Sequence, residues 1–427
     1  PYMEQFVDQC LNYFQRPRRV PDILHGHYAD AGYGGAQLAR LLGRPFVFTG
    51  HSLGRVKKER LIESGLSEKK IENNYRISRR IEAEEFALET CSLIITSTHQ
   101  EVKQQYEKYE NYIPERMEVI PPGVNLQSFH LPGEDDPDPE IQPQIHRFLD
   151  DPSKPMIVAM ARPDERKNLE MLVRTYGQSP RLQREANLVL IMGNRDDLRE
   201  LPPGQRTVLL NVLTLIDVFD LYGKVAYPKH HSADEVPILY QIAAASRGVF
   251  INPALTEPFG LTLIESAASG LPIVATEDGG PIDIISHCKN GILIDPLDKQ
   301  DITKALLKVV SDASRWRTMA KNGLEGVKAH YSWAAHAESY MQAIAPLLDE
   351  VETPPRAPVA RRPMLYHDRA IFTDLDQNLL GDPDSLADFL RLIRENHSCT
   401  SFGIATGRRL DSALQVMRRY GIPRPDV

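Results

Sequence analysis

From about position 20 onward, short apolar runs alternate with longer amphipathic stretches. DILHGHY (22–28), PFVFTGH (45–51), CSLIITST (91–98) and MEVIPPG (117–123) are β-rich and end in turn or polar residues, which predicts four strands. GAQLARLLG (35–43) and the long 67–90 segment predict helices between them. The second spreads Ile71, Ile77, Ile81 and Phe86 among many charges, as a helix with one face in water does. Such alternation implies a parallel sheet with helices on its faces.

Residues 124–154, with LPGEDDPDPEIQPQ inside them, are acidic and proline-rich and predict a linker or surface excursion, not core. Alternation then restarts with PMIVAMARP (155–163), ANLVLIMGN (186–194), GKVAYP (223–228), RGVFINP (247–253), LPIVAT (271–276) and GILIDP (291–296). Six strand-like runs amount to a complete doubly wound domain. Residues 300–348 read as helical, VETPPRAPVARRP (351–363) as a second linker, and a new strand-plus-loop unit opens after it. The expected division is 1–125, 155–330, a helix at 331–350 returning to the first domain, the linker 351–363, and a partial domain at 364–427. Four strands before the first linker, against six after it, suit a chain whose first strands are missing. An opening Pro-Tyr-Met without a signal-peptide pattern agrees with processing or a fragment.

Length adds that two or three domains are needed, each able to bury a core. Hydrophobic content of 42% and charged content of 25% are those of a globular protein. A formal net charge of −8 disfavours a nucleic-acid or anionic-membrane binder, and no apolar run reaches the length of a bilayer span. Cys10, Cys91, Cys288 and Cys399 lie far apart with no CxxC pair, which fits a reducing cytoplasm rather than a disulfide framework or zinc site.

The most informative chemistry is TEPFGLTLIESAASG (256–270). Glu257 and Glu265 stand eight apart, and Pro-Phe-Gly follows the first. A strand ending near Pro253 and a helix beginning near Gly260 put Glu257 in the loop above the sheet and Glu265 one to two turns into the helix. The first N–H groups of that helix would face an anionic or hydroxyl-rich ligand. A bare pair of glutamates at this spacing would equally suit a helix cap; EPFGL, ASGLPIVAT and GGP (279–281) together make the functional reading the stronger. ARPDERKN (161–168) follows the first strand of the second half and carries Arg162 and Lys167. Without a DxD metal motif in either half, such cations are the natural stabilisers of a departing diphosphate.

These residues resemble the retaining glycosyltransferases of the GT-B fold, two Rossmann-like doubly wound α/β domains facing a cleft. The resemblance implies that Glu257 contacts the transferred sugar and Glu265 the ribose hydroxyls. It further implies that Arg162 and Lys167 hold the donor phosphates, and that Phe259, Gly260 and Leu261 complete the donor site. HYADAG followed by FTGHSLG, within 25–54, is narrower and resembles the sucrose-phosphate synthase branch, as do RRIEAEE (79–85) and VIPPGVN (119–125). In that resemblance His51 lies by the transferred glucose, Lys57 and Arg80 hold the fructose phosphate, and Tyr28 is an acceptor-side aromatic. The residues themselves place Lys57 in a loop after His51 and Arg80 on a helix; Asp30 and Ser52 stay ambiguous. No Gly-Gly-Gln acceptor segment precedes position 20.

The tail resembles the haloacid-dehalogenase-type phosphatases. FTDLDQNLLGD (372–382) carries Asp374 and Asp376 at nucleophile and acid/base spacing, and ATGRR (405–409) supplies Thr406. Asn378 departs from the usual Thr, and the later motifs are not recognisable before Val427. Mg²⁺ would be held by Asp374 and Asp376 if the domain were complete.

The implied reaction joins UDP-glucose, or ADP-glucose, to fructose 6-phosphate. It forms sucrose 6-phosphate with retention, and His51, Glu257, Arg162 and Lys167 stabilise an ion-pair-like transition state. No metal is required for the transfer, though Mg²⁺ could stimulate it. Sucrose-phosphate phosphatase is the implied protein partner, and neither nucleic acid nor membrane is expected. A sucrose-synthase-type enzyme using free fructose, and a non-catalytic sugar-phosphate-binding subunit, are the competing readings.

Overall fold

The computed structural model describes residues 2–14, 20–131, 133, 140–349, 369–396, 399–408, 410–423 and 425–426. The expected linker 351–363 lies outside them. Two compact units result: Pro1–Ile95 with Gln105–Glu118 and Ile344–Val427, and Thr96–Gln104 with Val119–Ala343.

All ten apolar runs expected between 20 and 300 form strands, each shorter than its run. The first sheet has the order β1 (Leu24–His27), β2 (Phe46–Thr49), β3 (Leu93–Thr96) and β4 (Met117–Val119). The strands therefore add in one direction only, and β1, β2 and β3 run parallel. The GYGGA glycines (32–36) lie inside a helix that starts at once after β1, Tyr28–Leu42. Packing is the reason. A Cβ on Gly32 would stand 2.5 Å from the Phe48 ring, and one on Gly35 2.6 Å from that of Phe46. Bare backbone lets the helix lie on two fully buried aromatics of β2.

The single helix expected over 67–90 is two, Glu68–Tyr75 and Ile77–Thr90. Arg76 breaks them by taking a left-handed φ of 47°. The Glu72 carboxylate accepts from Ser78 N and Oγ across the break, giving the second helix's first turn an acceptor.

The second sheet holds β5 (Met156–Met160), β6 (Asn187–Ile191), β7 (Val225–Ala226), β8 (Val249–Asn252), β9 (Ile273–Thr276) and β10 (Gly291–Ile294). Its order is β10-β9-β8-β5-β6-β7, with the strands parallel throughout. Successive side chains part to opposite faces, as the pleat requires. Met156, Val158, Val189 and Ile191 join one core, while Ile157, Ala159, Leu188 and Leu190 join the other. Burial on both faces explains why these strands read as continuous apolar runs. Chain winding reverses between β5 and β8, which leaves a crevice beyond their C-terminal ends.

Residues 124–154 differ from their expected role as a surface excursion. The helix Ile141–His146 places Ile141 and Ile145, each 1% exposed, in the same core as Met156 and Val158. The acidic, proline-rich flanks hid two core residues spaced four apart. The region 300–348 is three helices, Lys299–Val310, Ala313–His330 and Trp333–Asp349. The first two are capped by Asp298 and Asp312, whose carboxylates accept from first-turn amides.

In the tail, β11 (Arg369–Thr373) and β12 (Thr400–Ile404) pair in parallel, and the helix Pro383–Glu395 covers them through Leu386, Leu390 and Ile393.

Replacing Ile145 with Ala should destabilise the chain by about 2–5 kcal/mol, the cost of a cavity in a packed core. Denaturant unfolding checks this; a change within about 0.5 kcal/mol, as on a solvated surface, would contradict it.

Candidate active site

Of the expected donor residues, Arg162, Lys167, Glu257, Phe259, Gly260 and Leu261 meet at the reversal of the second sheet, and Glu265 is not among the residues lining the space there. A cavity of about 540 Å³ there is lined by Arg162 and Lys167 from the loop after β5, by Asn252 at the end of β8, and by Glu257, Phe259 and Gly260 from the segment after it. Asn168 pins the first loop. Its φ is 55°, and its side-chain amide donates to the carbonyls of Pro253 (3.1 Å) and Pro296 (2.8 Å). Arg166 is turned away from this chemistry. It forks onto Asp164 at 2.9 and 3.1 Å, and that hydrogen bond holds the Asp164 carboxyl down at about 2.

Lys167 Nζ donates to Glu257 Oε2 at 2.7 Å, and Asn252 Nδ2 donates to the same oxygen at 2.9 Å. Both bonds fall on one oxygen of a carboxylate only 12% exposed. Partial burial strengthens this attraction over that of a surface pair. The segment itself is held by backbone. Glu257 N donates to Asp278 O at 3.0 Å and Gly280 N to Glu257 O at 2.9 Å. A Cβ on Gly279, whose φ is 111°, would stand 1.9 Å from Glu257 O, and one on Gly280 2.2 Å from Phe259 O. The GGP phrase is thus what lets two backbones touch beneath the carboxylate.

Gly260, at φ 103°, opens the helix Leu261–Ala268, and Leu261 and Thr262 from its first turn line the cavity. First-turn amides lack intrahelical acceptors and favour negative charge. Glu265 follows one turn on. Burial raises its carboxyl pKa, and the buried Tyr240 hydroxyl opposes that by donating to Oε2 at 3.4 Å. Asn252, Asn168 and Tyr240 were not picked out from the sequence; only Asn252, which closes an apolar strand, left a local signal.

In the first unit, His51 has a left-handed φ of 56°, and Tyr28 one of 62°. Their rings lie 4.8 Å apart. Lys57 is on the helix Gly54–Glu63, not in the expected loop, because Leu53 and Gly54 start that helix directly after the strand's turn. Its ammonium stands 4.7 Å over the Tyr75 ring. Arg80 is on the helix Ile77–Thr90, as expected.

One residue organises this region, and the sequence did not single it out. The Glu84 carboxylate, fully buried, accepts from Gly54 N at 2.9 and 3.1 Å, Arg80 Nε at 2.9 Å and Tyr109 Oη at 2.5 Å. It caps the helix carrying Lys57 and orients Arg80, whose Nη2 also donates to the Ser52 carbonyl. Three donors, one of them shared between both oxygens, offset the desolvation of one carboxylate. Its neighbour Glu85 accepts from Arg55 Nη2 at 2.7 Å and Asn111 Nδ2 at 3.0 Å, so the acidic end of RRIEAEE braces the structure from within.

In the tail, Asp374 and Thr406 lie just past the C-terminal ends of the paired strands β11 and β12. Asp376 is clamped by Arg408, Nε to Oδ2 at 2.7 Å and Nη2 to Oδ1 at 2.5 Å, and the clamp lowers its pKa. Asp374 Oδ1 accepts from Leu375 N at 2.7 Å. Among the described residues no cluster of three or more His, Cys, Asp or Glu could hold a metal. One free carboxylate edge and a guanidinium do not fit a Mg²⁺ site as arranged.

No helix of the described residues is long and apolar enough to cross a membrane, and all four cysteines are free thiols.

Residues 141–325 match the family Glycosyl transferases group 1, residues 10–128 Glycosyltransferase Family 4, and residues 367–427 Sucrose-6F-phosphate phosphohydrolase. Among solved structures, a sucrose-phosphate synthase from Thermosynechococcus elongatus matches with a TM-score of 0.60 at 24% identity, covering 82% of this chain and 78% of that one. HepE of Anabaena in complex with UDP matches with a TM-score of 0.61 at 18% identity, over 81% and 84%. The fold is that of the GT-B glycosyltransferases, with a phosphohydrolase-like segment at its end. More narrowly, the chain is similar in sequence to sucrose-phosphate synthases. It is 44% identical over 393 residues to probable sucrose-phosphate synthase 1 of Oryza sativa subsp. indica, covering 81% of this chain and 36% of that one. It is 43% identical over 397 residues to sucrose-phosphate synthase 4 of Arabidopsis thaliana, covering 81% and 38%. The chain therefore spans little more than a third of the length of these curated relatives.

Exchanging Glu84 for Gln should cost about 3 kcal/mol or more, since Arg80 loses the charge that balances it. Chemical denaturation checks this; unchanged stability would remove Glu84 from the centre of the network.

Proposed function

We propose that this chain carries the glucosyl-transfer machinery of a sucrose 6-phosphate-forming enzyme, with UDP-glucose as donor and fructose 6-phosphate as acceptor. The observation carrying this reading is the Lys167–Glu257 pair beside Arg162 at the sheet reversal. As the glucose C1–O bond to the diphosphate breaks, negative charge grows on the leaving oxygen and positive charge on the sugar ring. Arg162, Lys167 and the first amides after Gly260 oppose the first, and the Glu257 carboxylate the second. The anomeric hydroxyl of fructose 6-phosphate attacks C1 on the face the diphosphate leaves, and its proton passes to the departing phosphate oxygen. Retention follows without a covalent intermediate on the protein.

Each partner has a stated support. HepE, of the same fold, was solved with UDP-glucose. The curated relatives are sucrose-phosphate synthases, and Lys57 and Arg80 offer cations for a phosphate that free fructose lacks. Glu265 would meet the ribose, and His51 the glucose. Transfer needs no metal in this reading, and the tail, with Asp376 clamped, takes no part in it.

Product analysis with UDP-glucose or ADP-glucose against fructose 6-phosphate or fructose tests the assignment. Sucrose 6-phosphate from UDP-glucose is expected; sucrose from free fructose, or no product with donor bound, would favour the competing readings. Lys167→Ala and Glu257→Gln should each lower kcat by about 10²–10³ with the fold intact.

Lys57→Ala should raise KM for fructose 6-phosphate roughly tenfold or more, the loss of one charged hydrogen bond, with donor affinity unchanged. Weaker donor binding in that variant would move Lys57 out of the acceptor set.

A further inference from the structure

Three imidazoles form a ladder at the C-terminal ends of β1 and β2. His25 and His27 leave the same face of β1, and their rings stack at 4.3 Å. His27 in turn stacks on His51 at 5.0 Å, with an interplanar angle of 17°. Their contact is also a hydrogen bond, His27 Nδ1 to His51 Nε2 at 2.8 Å. At the far end His25 Nε2 meets Thr49 Oγ1 at 2.9 Å, which ties the ladder back to β2. Tyr28 packs on the other side of His51 at 4.8 Å. Among the described residues no carboxylate is bonded to His27 or His51.

Two ring nitrogens at this distance must share a single proton between them. Nε2 of His51 is therefore occupied, and Nδ1 is the edge left to a ligand. The φ of 56° at His51 adds weight, because a bulky residue holds that backbone only where its surroundings over-determine it.

We propose that His27 is a positioning residue for glucosyl transfer: by engaging Nε2 of His51, it fixes that ring's plane and leaves Nδ1 to a sugar hydroxyl. This rests on the glucosyl-transfer reading above. The pair accepts at most one further proton, since a second would set two cations against each other. Desolvation lowers both pKa values, and the His27 charge lowers that of His51 further, which favours the neutral pair. Asn at position 27 can place an amide atom where Nδ1 stands, keeping a hydrogen bond while removing the titrating ring.

The test combines ¹⁵N imidazole NMR titration of the whole chain with kinetics, for His27→Asn and His27→Ala. In both variants the His51 pKa should rise toward its ordinary value, because the opposing charge is gone. His27→Ala should lower kcat about tenfold, the effect of one neutral hydrogen bond in the transition state, and His27→Asn should recover most of that loss. The acid limb of the His27→Asn profile should move to higher pH, because His51 then protonates more readily. A residue that only packs would move melting temperature and leave the His51 titration and the acid limb in place. An unchanged His51 titration in His27→Ala overturns the proposal whatever the turnover. If the NMR coupling appears but the parent chain transfers no glucose, the pair stands as a structure and its role in transfer falls.

Discussion

The polar chemistry of the second unit follows from one constraint of winding. Right-handed crossovers carry the chain outward from β5 on one side and from β8 on the other, so no connection covers the ends of those two strands. Side chains from both following loops are thereby brought to one place from about 90 residues apart in sequence, as Lys167 and Glu257 are. In that crevice a cation and a carboxylate satisfy each other, and amide donors wait at a helix start. In the proposed transfer the diphosphate brings negative charge to the cation, and the sugar ring develops positive charge toward the carboxylate only as its bond to the diphosphate breaks. The glycines at 279 and 280 serve the same end, since any side chain there would push the Glu257 segment off its seat.

The first unit solves its problem differently. Its sheet winds one way, so its polar residues are gathered by burial instead. The Glu84 carboxylate lies without solvent, and three donors from three segments converge on it. Two cationic residues suited to a sugar phosphate, Lys57 and Arg80, owe their helix start and their orientation to that carboxylate. The histidine ladder is its counterpart, where burial lowers the readiness of His27 and His51 to take a proton and His27 lowers that of His51 further.

The tail shows the same parallel-strand logic with less to work on. Asp374 and Thr406 reach the ends of β11 and β12, where a phosphoryl group could sit, but the arginine two residues past Thr406 neutralises the second aspartate. Its likeness to the sucrose 6-phosphate phosphohydrolases is one of family and fold.

Strand positions and the donor segment were legible in the sequence, for a physical reason. Strands buried on both faces leave unbroken apolar runs, and a loop whose backbone must touch another leaves glycines beside its carboxylates. Local pattern also named Arg162, Lys167, Glu257 and Glu265, because a strand end followed by charge and a helix start is a short-range signature. Tertiary structure alone decided the rest. Ile141 and Ile145 read as linker because two apolar residues make no period, and only contact with Met156 and Val158 makes them core. Arg76 breaks a helix with nothing in its side chain to announce it, and GYGGA is helical because two phenylalanines of another strand need the room. Glu84 and His27 were not singled out by sequence, and Asp376 read as an acid/base and metal-holding carboxylate rather than as the partner of an arginine. Their roles come from partners 30, 24 and 32 positions away, at distances only a folded chain can set.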